Sequence, residues 1–320
     1  MSKLLTVSIA AYNVQEYLHK TLDSLLIHER NKMDELEVII VNDGSYDNTI
    51  EIAKAYERRY PKIFKIIDKK NGGYGSTINA ALKEAHGKYF KLLDGDDWLE
   101  TDNLSQFIDT LKRTEVDLVL SPYIECYGEN GERIRKEQPY EYNIQFETSA
   151  LLKYSMHAMC IRTACIKGKI TITENCYYTD SEFFIKSAMN CTSCIYISLP
   201  IYCYRVGRED QSMDINNLVK HYDDYFYVAC YMVKILKKNP KIEGMKKSIY
   251  SLLATSFGYS LLLSQEDGAK EKFLMCRECI KESWEDVAPL LTNSQKIVFR
   301  FPWMYGTINR YQRRKKKITV

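Results

Sequence analysis

The sequence predicts an open α/β sheet flanked by helices, followed by a helical C-terminal region. Over the first 120 residues, short runs rich in Val, Ile and Leu alternate with helix-like patterns. After about Met213, helical periodicity dominates. Strands that alternate with helices indicate parallel pairing with right-handed crossovers. We therefore expect two domains, residues 1–212 and residues 213–320.

The expected strands are five short apolar runs, as is typical of buried strands in a parallel sheet. They cover residues 4–11, 36–42, 64–68, 89–93 and 116–121. Apolar residues at helical spacing run from Val14 to Leu25 and from Ile78 to Ala85. Gly87 is expected to end the second of these helices. Asn48 and Glu51 predict a capping box for a helix after the second strand.

The composition is that of an ordinary globular chain. Its 45 basic and 42 acidic residues give a net charge of only +3, so we expect no nucleic-acid partner. The first apolar run is typical of a strand rather than of a signal peptide, which predicts a cytoplasmic protein. Six of the eight residues from Arg310 to Lys317 are basic, and the chain is locally very cationic there.

Ten cysteines without an export signal are expected to be reduced and buried. Cys191 with Cys194 and Cys276 with Cys279 have Cys-x-x-Cys spacing, but about 80 residues separate the pairs, unlike a zinc ribbon. Residues 248–265 carry no formal charge. Five serines, a threonine and two tyrosines interrupt this apolar stretch, which favours a buried core helix over a membrane span.

Four polar loops follow the first four predicted strands, at residues 11–13, 42–45, 69–76 and 94–97. Ligands of open α/β sheets bind beyond the carboxyl ends of the strands, so we expect these loops to form one site. The last loop, Asp-Gly-Asp-Asp, gathers three carboxylates whose mutual repulsion Mg²⁺ or Mn²⁺ would relieve. The alternative is that these residues only form a turn and cap a helix.

The glycine-rich segment 71–76 leads into a helix that we expect to begin near Ser76, whose free N–H groups favour a phosphate. Ile78 replaces the last glycine of a dinucleotide-binding fingerprint, and the chain has no P-loop lysine motif. Asp43 is suited to accept hydrogen bonds from a base or a ribose. Together the loops predict a metal-assisted site for a nucleotide diphosphate.

Four motifs in order resemble those of family 2 glycosyltransferases with the GT-A fold. They are VSIAAYN at 7–13, VNDGS with DNT at 41–49, NGG through Asn79 from 71, and LDGDD at 93–97. The resemblance spans roughly residues 4–210. It implies an open mixed sheet and inverting transfer of a sugar from a nucleotide sugar, commonly UDP-linked.

The resemblance also implies roles for single residues. Asp96 would bind Mn²⁺ or Mg²⁺ against the diphosphate, and Asp94 would lie toward the ribose. Arg205, with Arg208 and Ser212, resembles a segment that covers the pyrophosphate. The full set expected around the nucleotide is Ala11, Tyr12, Asn13, Glu16, Asp43, Lys70, Gly72, Gly73, Asn79, Asp94 and Arg205.

An inverting displacement needs a base for the proton of the acceptor hydroxyl. The family's Glu-Asp pair before a phenylalanine is matched by Thr179-Asp180, so Asp180 is the expected base. Thr179 departs from the pattern, as does Ile78, where many relatives have Arg. Glu182 and Glu174 remain alternative bases. The alternative interpretation of Asp180 is a residue that only caps the start of a helix.

The predicted enzyme is a metal-dependent hexosyltransferase. Processive relatives carry a Gln-x-x-Arg-Trp motif and several membrane helices, and this chain shows neither, so transfer of a single sugar is expected. A sugar-nucleotide nucleotidyltransferase is one alternative. A non-enzymatic module associated with membrane or nucleic acid is another.

Residues 298–317 join aromatic side chains to the basic cluster, a combination that suits an anionic membrane surface. A saccharide or polyprenyl-linked acceptor in surface-polysaccharide synthesis would then be expected, with the enzyme peripheral on the inner face of the membrane. The alternative is a solvated terminal helix whose aromatic residues pack on the helical region.

Overall fold

The computed structural model describes residues 3–128, 131–152, 155–207, 214–264, 268–316 and 318. The chain forms two compact units, Met1–Gly207 and Arg208–Val320. The first unit carries the β-sheets, and the described part of the second is helical. The predicted domain boundary after residue 212 lies outside the described residues, so it stays a prediction.

The strands of the first unit are short, and most follow the apolar runs of the sequence. They are β1 (Leu5–Ala11), β2 (Leu36–Asp43), β3 (Phe64–Lys69), β4 (Tyr89–Asp94), β5 (Trp98–Leu99), β6 (Leu118–Leu120), β7 (Tyr123–Tyr127), β8 (Arg133–Lys136), β9 (Gln145–Glu147), β10 (Met159–Arg162), β11 (Ser193–Tyr196) and β12 (Tyr202–Val206). The five predicted strands are confirmed as β1, β2, β3, β4 and β6, with ends within two residues of the prediction.

The helices of the first unit lie between these strands. They are α1 (Leu18–Asp23), α2 (Arg30–Met33), α3 (Thr49–Arg59), α4 (Tyr74–Glu84), α5 (Thr101–Arg113), α6 (Thr163–Ile166) and α7 (Asp180–Asn190), with 3-10 turns at Thr148–Ala150 and Met156–Ala158. β1, β2 and β4 are buried along most of their length, as is usual for strands of a parallel sheet.

Within the described residues, eight strands form the main sheet in the order β3-β2-β1-β4-β10-β6-β11-β9. The first four strands of that order are parallel, so their carboxyl ends meet at one edge. β10 runs antiparallel to both β4 and β6, which makes the sheet mixed, as predicted. A second sheet has the order β5-β12-β7-β8, in which β7 and β8 are antiparallel neighbours.

Two local predictions about helix ends were wrong. Asn48 precedes α3 without a side-chain capping bond, and Asp47 Oδ1 instead accepts from the Thr49 N–H at 3.0 Å. Gly87 lies beyond the end of α4. A Cβ atom on Gly87 would lie 2.4 Å from the Thr6 nitrogen, so glycine is needed there for the close approach to β1.

The second unit is a set of helices with its own apolar core. They are α8 (Ile215–Lys220), α9 (Tyr222–Lys238), α10 (Lys246–Ser260), α11 (Ala269–Lys281), α12 (Trp284–Val287), α13 (Asn293–Arg300) and α14 (Tyr305–Lys316), with 3-10 turns at Pro240–Met245, Ala288–Leu290 and Pro302–Met304. α10 packs between α9 and α11 and buries residues such as Leu253 and Phe257, which confirms the predicted core helix.

Across the part of the chain that the structure describes, no helix combines the length and apolar character needed to cross a membrane. The ten cysteines are free thiols, and eight of them are buried, in agreement with the expectation from the sequence.

Candidate active site

The polar loops after β1 and β2 are joined to each other by hydrogen bonds. Asn13 has a left-handed backbone conformation with φ of 51°, and its N–H donates to Ser45 Oγ at 3.0 Å. Asn13 Oδ1 accepts from the Tyr46 N–H at 3.0 Å. Ala11 is buried, whereas the ring of Tyr12 is about half exposed and meets Tyr46 edge-on at 6.3 Å. The hydrogen bonds of Asn13 thus fix the loop that carries Tyr12. Glu16, three residues after Asn13, is exposed.

Asp43, at the end of β2, organises the glycine-rich loop. Its Oδ1 accepts from Lys69 Nζ at 2.6 Å and from the Gly72 N–H at 3.0 Å, and its Oδ2 accepts from the Gly73 N–H at 2.9 Å. Both carboxylate oxygens of Asp43 therefore already accept hydrogen bonds from the protein. The predicted contact of Asp43 with a nucleoside stays a prediction. Lys69 was not among the site residues predicted from the sequence. The predicted residue Lys70 is exposed, and its backbone carbonyl also accepts a hydrogen bond from Lys69 Nζ.

The glycine-rich loop packs closely against residues 172–175. α4 begins at Tyr74, two residues earlier than expected. Gly73 has φ of 78°, and a Cβ atom on Gly75 would lie 2.0 Å from the Thr173 carbonyl oxygen. Asn79 Nδ2 donates to the carbonyl of Ile172 at 2.8 Å and to Glu174 Oε1 at 3.0 Å. Asn79 therefore holds this loop, and its nucleotide contact stays a prediction.

Asp94 ends β4 with a carboxyl group that is only partly satisfied. Its Oδ1 is buried and has no hydrogen-bond partner among the described residues. Burial, followed by the negative charges of Asp96 and Asp180, raises the pKa of Asp94 to about 7, and a hydrogen bond with Tyr74 opposes the shift. The negative charge of Asp180, at the start of α7, is one of the causes of this shift.

Asp97 is more deeply buried than the other two carboxylates of its loop and is held by β12. Its Oδ2 accepts from Tyr202 Oη at 2.6 Å, and its Oδ1 accepts from the Arg205 N–H at 2.7 Å. The Asp94 N–H in turn donates to Tyr202 Oη at 3.2 Å. Burial, with the charges of Asp96 and Asp94, raises the pKa of Asp97.

His157 completes a cluster that the sequence did not reveal. One ligand atom from each of Asp94, Asp97 and His157 lies within 4.8 Å of the others. Burial, and then the charge of Lys91, lower the pKa of His157 to about 3, so its imidazole is neutral. Lys91, itself buried in β4, donates to the His157 carbonyl at 2.9 Å and positions it. No pattern around His157 in the sequence could have singled it out.

These donors fit a divalent cation such as Mn²⁺ or Mg²⁺. Carboxylate oxygens and a neutral imidazole are suitable ligands, and the partnerless Oδ1 of Asp94 is a buried acceptor in need of a positive partner. The sequence assigned the metal to Asp96, which is not in this cluster of described residues. The role of Asp96 as a metal ligand therefore stays a prediction.

The three candidate bases differ in their surroundings. Asp180 is the first residue of α7, and burial raises its pKa to about 6 against the opposing effect of backbone N–H groups. Glu182 is fully buried; its Oε1 pairs with Lys186 Nζ at 2.5 Å, and its carboxylate accepts from the Thr173 N–H. Glu174 is exposed. The charge of Asp180 also acts on Asp94.

Arg205, on β12, packs against two aromatic rings and bonds to the carboxylate loop. Its Nε donates to the Asp96 carbonyl at 2.9 Å, and its guanidinium is 4.7 Å from the ring centre of Tyr17 and 5.2 Å from that of Trp98. The structure thus places Arg205 next to Asp96, as a pyrophosphate contact would require. Arg208 and Ser212, from the same predicted segment, lie outside the described residues.

The chain is similar to glycosyltransferases in sequence. It is 28% identical over 264 residues to the putative glycosyltransferase EpsH of Bacillus subtilis, covering 75% of this chain and 71% of that protein. It is 31% identical over 163 residues to the minor teichoic acid biosynthesis protein GgaB of the same organism. That match covers 50% of this chain but only 17% of GgaB.

The fold and the family agree with this similarity. Residues 1–349 of S. aureus TarS, in a crystal structure with UDP-GlcNAc, match with a TM-score of 0.63 at 19% identity, over 98% of this chain and 92% of that chain. This likeness confirms the predicted GT-A fold. Residues 6–169, just over half of the sequence, match the family described as glycosyl transferase family 2. The chain therefore belongs to glycosyl transferase family 2.

Proposed function

We propose that the protein transfers a single sugar, with inversion at the anomeric carbon, from a UDP-linked nucleotide sugar to a hydroxyl of a saccharide or lipid-linked saccharide. The observation that carries this proposal is the cluster of Asp94, Asp97 and His157 after β4, on which the charge of Asp180 also acts. The carboxylates after β4 suit a metal-bound diphosphate, and the carboxylate at the start of α7 suits a base. A transferase of this kind needs both functions side by side.

Asp180 is the proposed base. In a single displacement the acceptor oxygen attacks the anomeric carbon, the nucleoside diphosphate leaves, and the proton of the acceptor hydroxyl passes to the base. With a pKa of about 6, Asp180 is ionised at neutral pH and holds a proton more tightly than an ordinary aspartate. The carboxylate of Glu182 is already engaged by Lys186 and Thr173, which supports Asp180 over Glu182.

Mn²⁺ or Mg²⁺ is the proposed cofactor. Asp94, Asp97 and His157 would hold it, and Asp96 is the further ligand expected from the sequence. When bound, such an ion acts as a Lewis acid that offsets the negative charge of the leaving diphosphate. The neutral imidazole and the partnerless oxygen of Asp94 support this assignment.

UDP is the proposed nucleotide, because the TarS structure of similar fold contains UDP-GlcNAc. Tyr12 offers an exposed ring beside the expected base position, and the Gly72–Gly73 loop offers a close backbone approach. Arg205 lies beside Asp96, where it would neutralise a pyrophosphate. The remaining predicted contacts are Ala11, Asn13, Glu16, Asp43, Lys70, Asn79 and Asp94.

The proposed acceptor belongs to a surface polysaccharide or another cell-envelope glycan, as the named role of GgaB suggests. The protein would act in the cytoplasm, peripherally on the inner face of the membrane through residues 298–317, of which Lys317 lies outside the described residues. No nucleic acid takes part in this function. Membership of the family gives no support to a nucleotidyltransferase or to a non-enzymatic binding module.

Thermal unfolding with UDP, GDP, CDP and ADP, each with and without Mn²⁺, tests the donor site. UDP with Mn²⁺ at about 100 times its dissociation constant should add about 2.7 kcal/mol to the free energy of unfolding. Asp94→Asn should lose this stabilisation, whereas Asp180→Asn and the exposed control Asp102→Asn should keep it. Absence of a shift with every nucleotide in folded protein, or an undiminished shift in Asp94→Asn, would contradict the proposal.

A further inference from the structure

The end of the second unit carries a strongly unbalanced charge. From Val287 to Val320 the sequence has eight Lys or Arg residues and no Asp or Glu. Removing these eight charges from the net charge of +3 leaves −5 for residues 1–286. The positive charge is therefore concentrated in this one segment, and an anionic partner would be attracted there and repelled by the rest of the chain.

Besides Tyr311, three large apolar side chains stand exposed within the same segment. Ile297 is 46% exposed, Phe301 is 43% exposed and Trp303 is 78% exposed. The Phe301 N–H donates to the Ile297 carbonyl at 2.8 Å, so the two residues are one helical turn apart. The ring centres of Phe301 and Trp303 are 6.4 Å apart. Ile297, Phe301 and Trp303 together are the apolar strip.

Neighbouring aromatic residues fix the strip in place. Phe299 is buried and stacks on Trp284 at 4.3 Å, and Tyr305 is buried beside Phe273 at 4.8 Å. The chain on either side of Phe301 and Trp303 is therefore held by the core of the second unit. The packed rings of Phe299 and Tyr305 hold the neighbouring chain, while the side chains of the strip stay exposed.

α14 places exposed cations directly after the apolar strip. Arg310, Arg314, Lys315 and Lys316 are exposed and form the cationic set. Arg310 and Arg314 are four residues apart and so lie on one face of the helix. Arg313 differs, because its Nη1 donates to the Leu262 carbonyl at 2.6 Å, which ties α14 to the end of α10.

The chemistry of the segment favours one occupant over two others. Symmetric pairing of two copies of the chain through this segment would bring two cationic sets together, which their repulsion opposes. A nucleic acid would match the charge and could stack on Phe301 and Trp303, but it would leave the exposed aliphatic side chain of Ile297 without an apolar partner. Trp and Phe side chains beside clustered Lys and Arg are the combination that binds at the boundary between anionic headgroups and acyl chains.

We propose that the apolar strip and the cationic set form one binding site for an anionic lipid surface. The strip enters the boundary between headgroups and acyl chains, and the cationic set binds lipid phosphates around it. The proposal rests on the proposed function in one respect, since a lipid-linked acceptor would be met at this surface. The site itself needs no sugar transfer in order to bind.

Co-sedimentation of the full chain with vesicles tests the proposal. Vesicles that mix phosphatidylglycerol with phosphatidylcholine should bind the protein, and vesicles of phosphatidylcholine alone should not. Changing the four residues of the cationic set to Gln should weaken binding roughly a thousandfold. A matched control, Lys234, Lys238, Lys241 and Lys247 to Gln, removes four exposed charges from other helices of the same unit and should bind like the wild type.

The apolar strip has its own test. Phe301→Ala with Trp303→Ala should weaken binding about tenfold or more, and the control Tyr227→Ala with Met275→Ala, which also removes two exposed apolar side chains, should not. The emission of Trp303, isolated by comparison with Trp303→Phe, should shift to the blue on vesicles. Added salt should weaken the binding, because it screens the cationic set.

Three results would overturn the proposal. They are failure of the folded wild type to bind anionic vesicles, equal loss of binding in the cationic variant and its matched control, and tighter binding to single-stranded RNA than to vesicles. A failure of the proposed function gives a different result. In that case the protein binds anionic vesicles normally but turns over no UDP-sugar.

Discussion

At the scale of the residue, burial sets the chemistry of the site. It raises the pKa of Asp94 to about 7 and that of Asp180 to about 6, and it lowers the pKa of His157 to about 3. Asp94 and Asp180 were expected from the sequence as site residues, but their surroundings were not. Tyr202, which donates to Asp97, is 105 residues away in the chain, so no local pattern could reveal the contact.

The raised pKa of Asp94 predicts how stability depends on pH in the metal-free protein. The usual pKa is 3.8 and the folded value is about 7, so the folded state holds the extra proton between these values. Stability should therefore fall as the pH rises from about 4 to about 7. At about pH 8, Asp94→Asn should be more stable than the wild type by about 2 to 4 kcal/mol. Urea unfolding in EDTA measures this difference.

The control for this experiment is Asp102→Asn, which changes an exposed aspartate in the first turn of α5. It should follow the pH dependence of the wild type. Equal stability of Asp94→Asn and the wild type at about pH 8 would show that Asp94 ionises without cost in the folded protein.

The two other candidate bases should respond differently to substitution. Glu182→Ala leaves Lys186 and the Thr173 N–H without their buried partner, and we expect a loss of about 3 to 5 kcal/mol in the free energy of unfolding. Glu174→Ala, at an exposed position, should cost less than about 1 kcal/mol. Urea unfolding distinguishes the two variants. An unchanged free energy of unfolding in Glu182→Ala would contradict its structural role and make Glu182 a candidate base again.

At the scale of the element, five of the eight described strands of the main sheet could be predicted and three could not. β1 to β4 are largely apolar runs of six to eight residues separated by helices. This alternation is typical of parallel strands, so the sequence predicts their pairing. β9, β10 and β11 have three or four residues each, too few to show a period. Their pairing depends on contacts across the sheet, and so does the position of His157 directly before β10.

The fit of α4 against residues 172–175 gives a prediction at this scale. Gly75→Ala would place a Cβ atom 2.0 Å from the Thr173 carbonyl oxygen, and because that oxygen belongs to the backbone the loop itself must move. We expect a loss of about 3 kcal/mol or more in stability together with weaker UDP binding. Gly306→Ala in α14 is the control, since nothing lies within 4 Å of its added atom. Equal stability of the two variants would contradict the described packing.

At the scale of the whole molecule, the order of the motifs carried more information than any one of them. An isolated Asp-Gly-Asp-Asp is compatible with a simple turn, but four polar loops at the ends of parallel strands must meet at one edge. In the structure the loops are joined by hydrogen bonds: Asp43 accepts from the Gly72 and Gly73 N–H groups, Asn13 donates to Ser45, and the Gly95 N–H donates to the carbonyl of Ala10. The unequal charge of residues 1–286 and 287–320 adds a second, separate feature.

The most direct test of the account is the turnover of a UDP-sugar, measured as UDP release, by the wild type and by Asp180→Asn across a range of pH. The wild-type rate should rise with pH through about 6 as Asp180 loses its proton. Asp180→Asn should lower kcat by roughly a hundredfold to ten-thousandfold and remove this rise, with UDP binding unchanged. Wild-type turnover in Asp180→Asn would contradict the assignment of the base and of the site built around it.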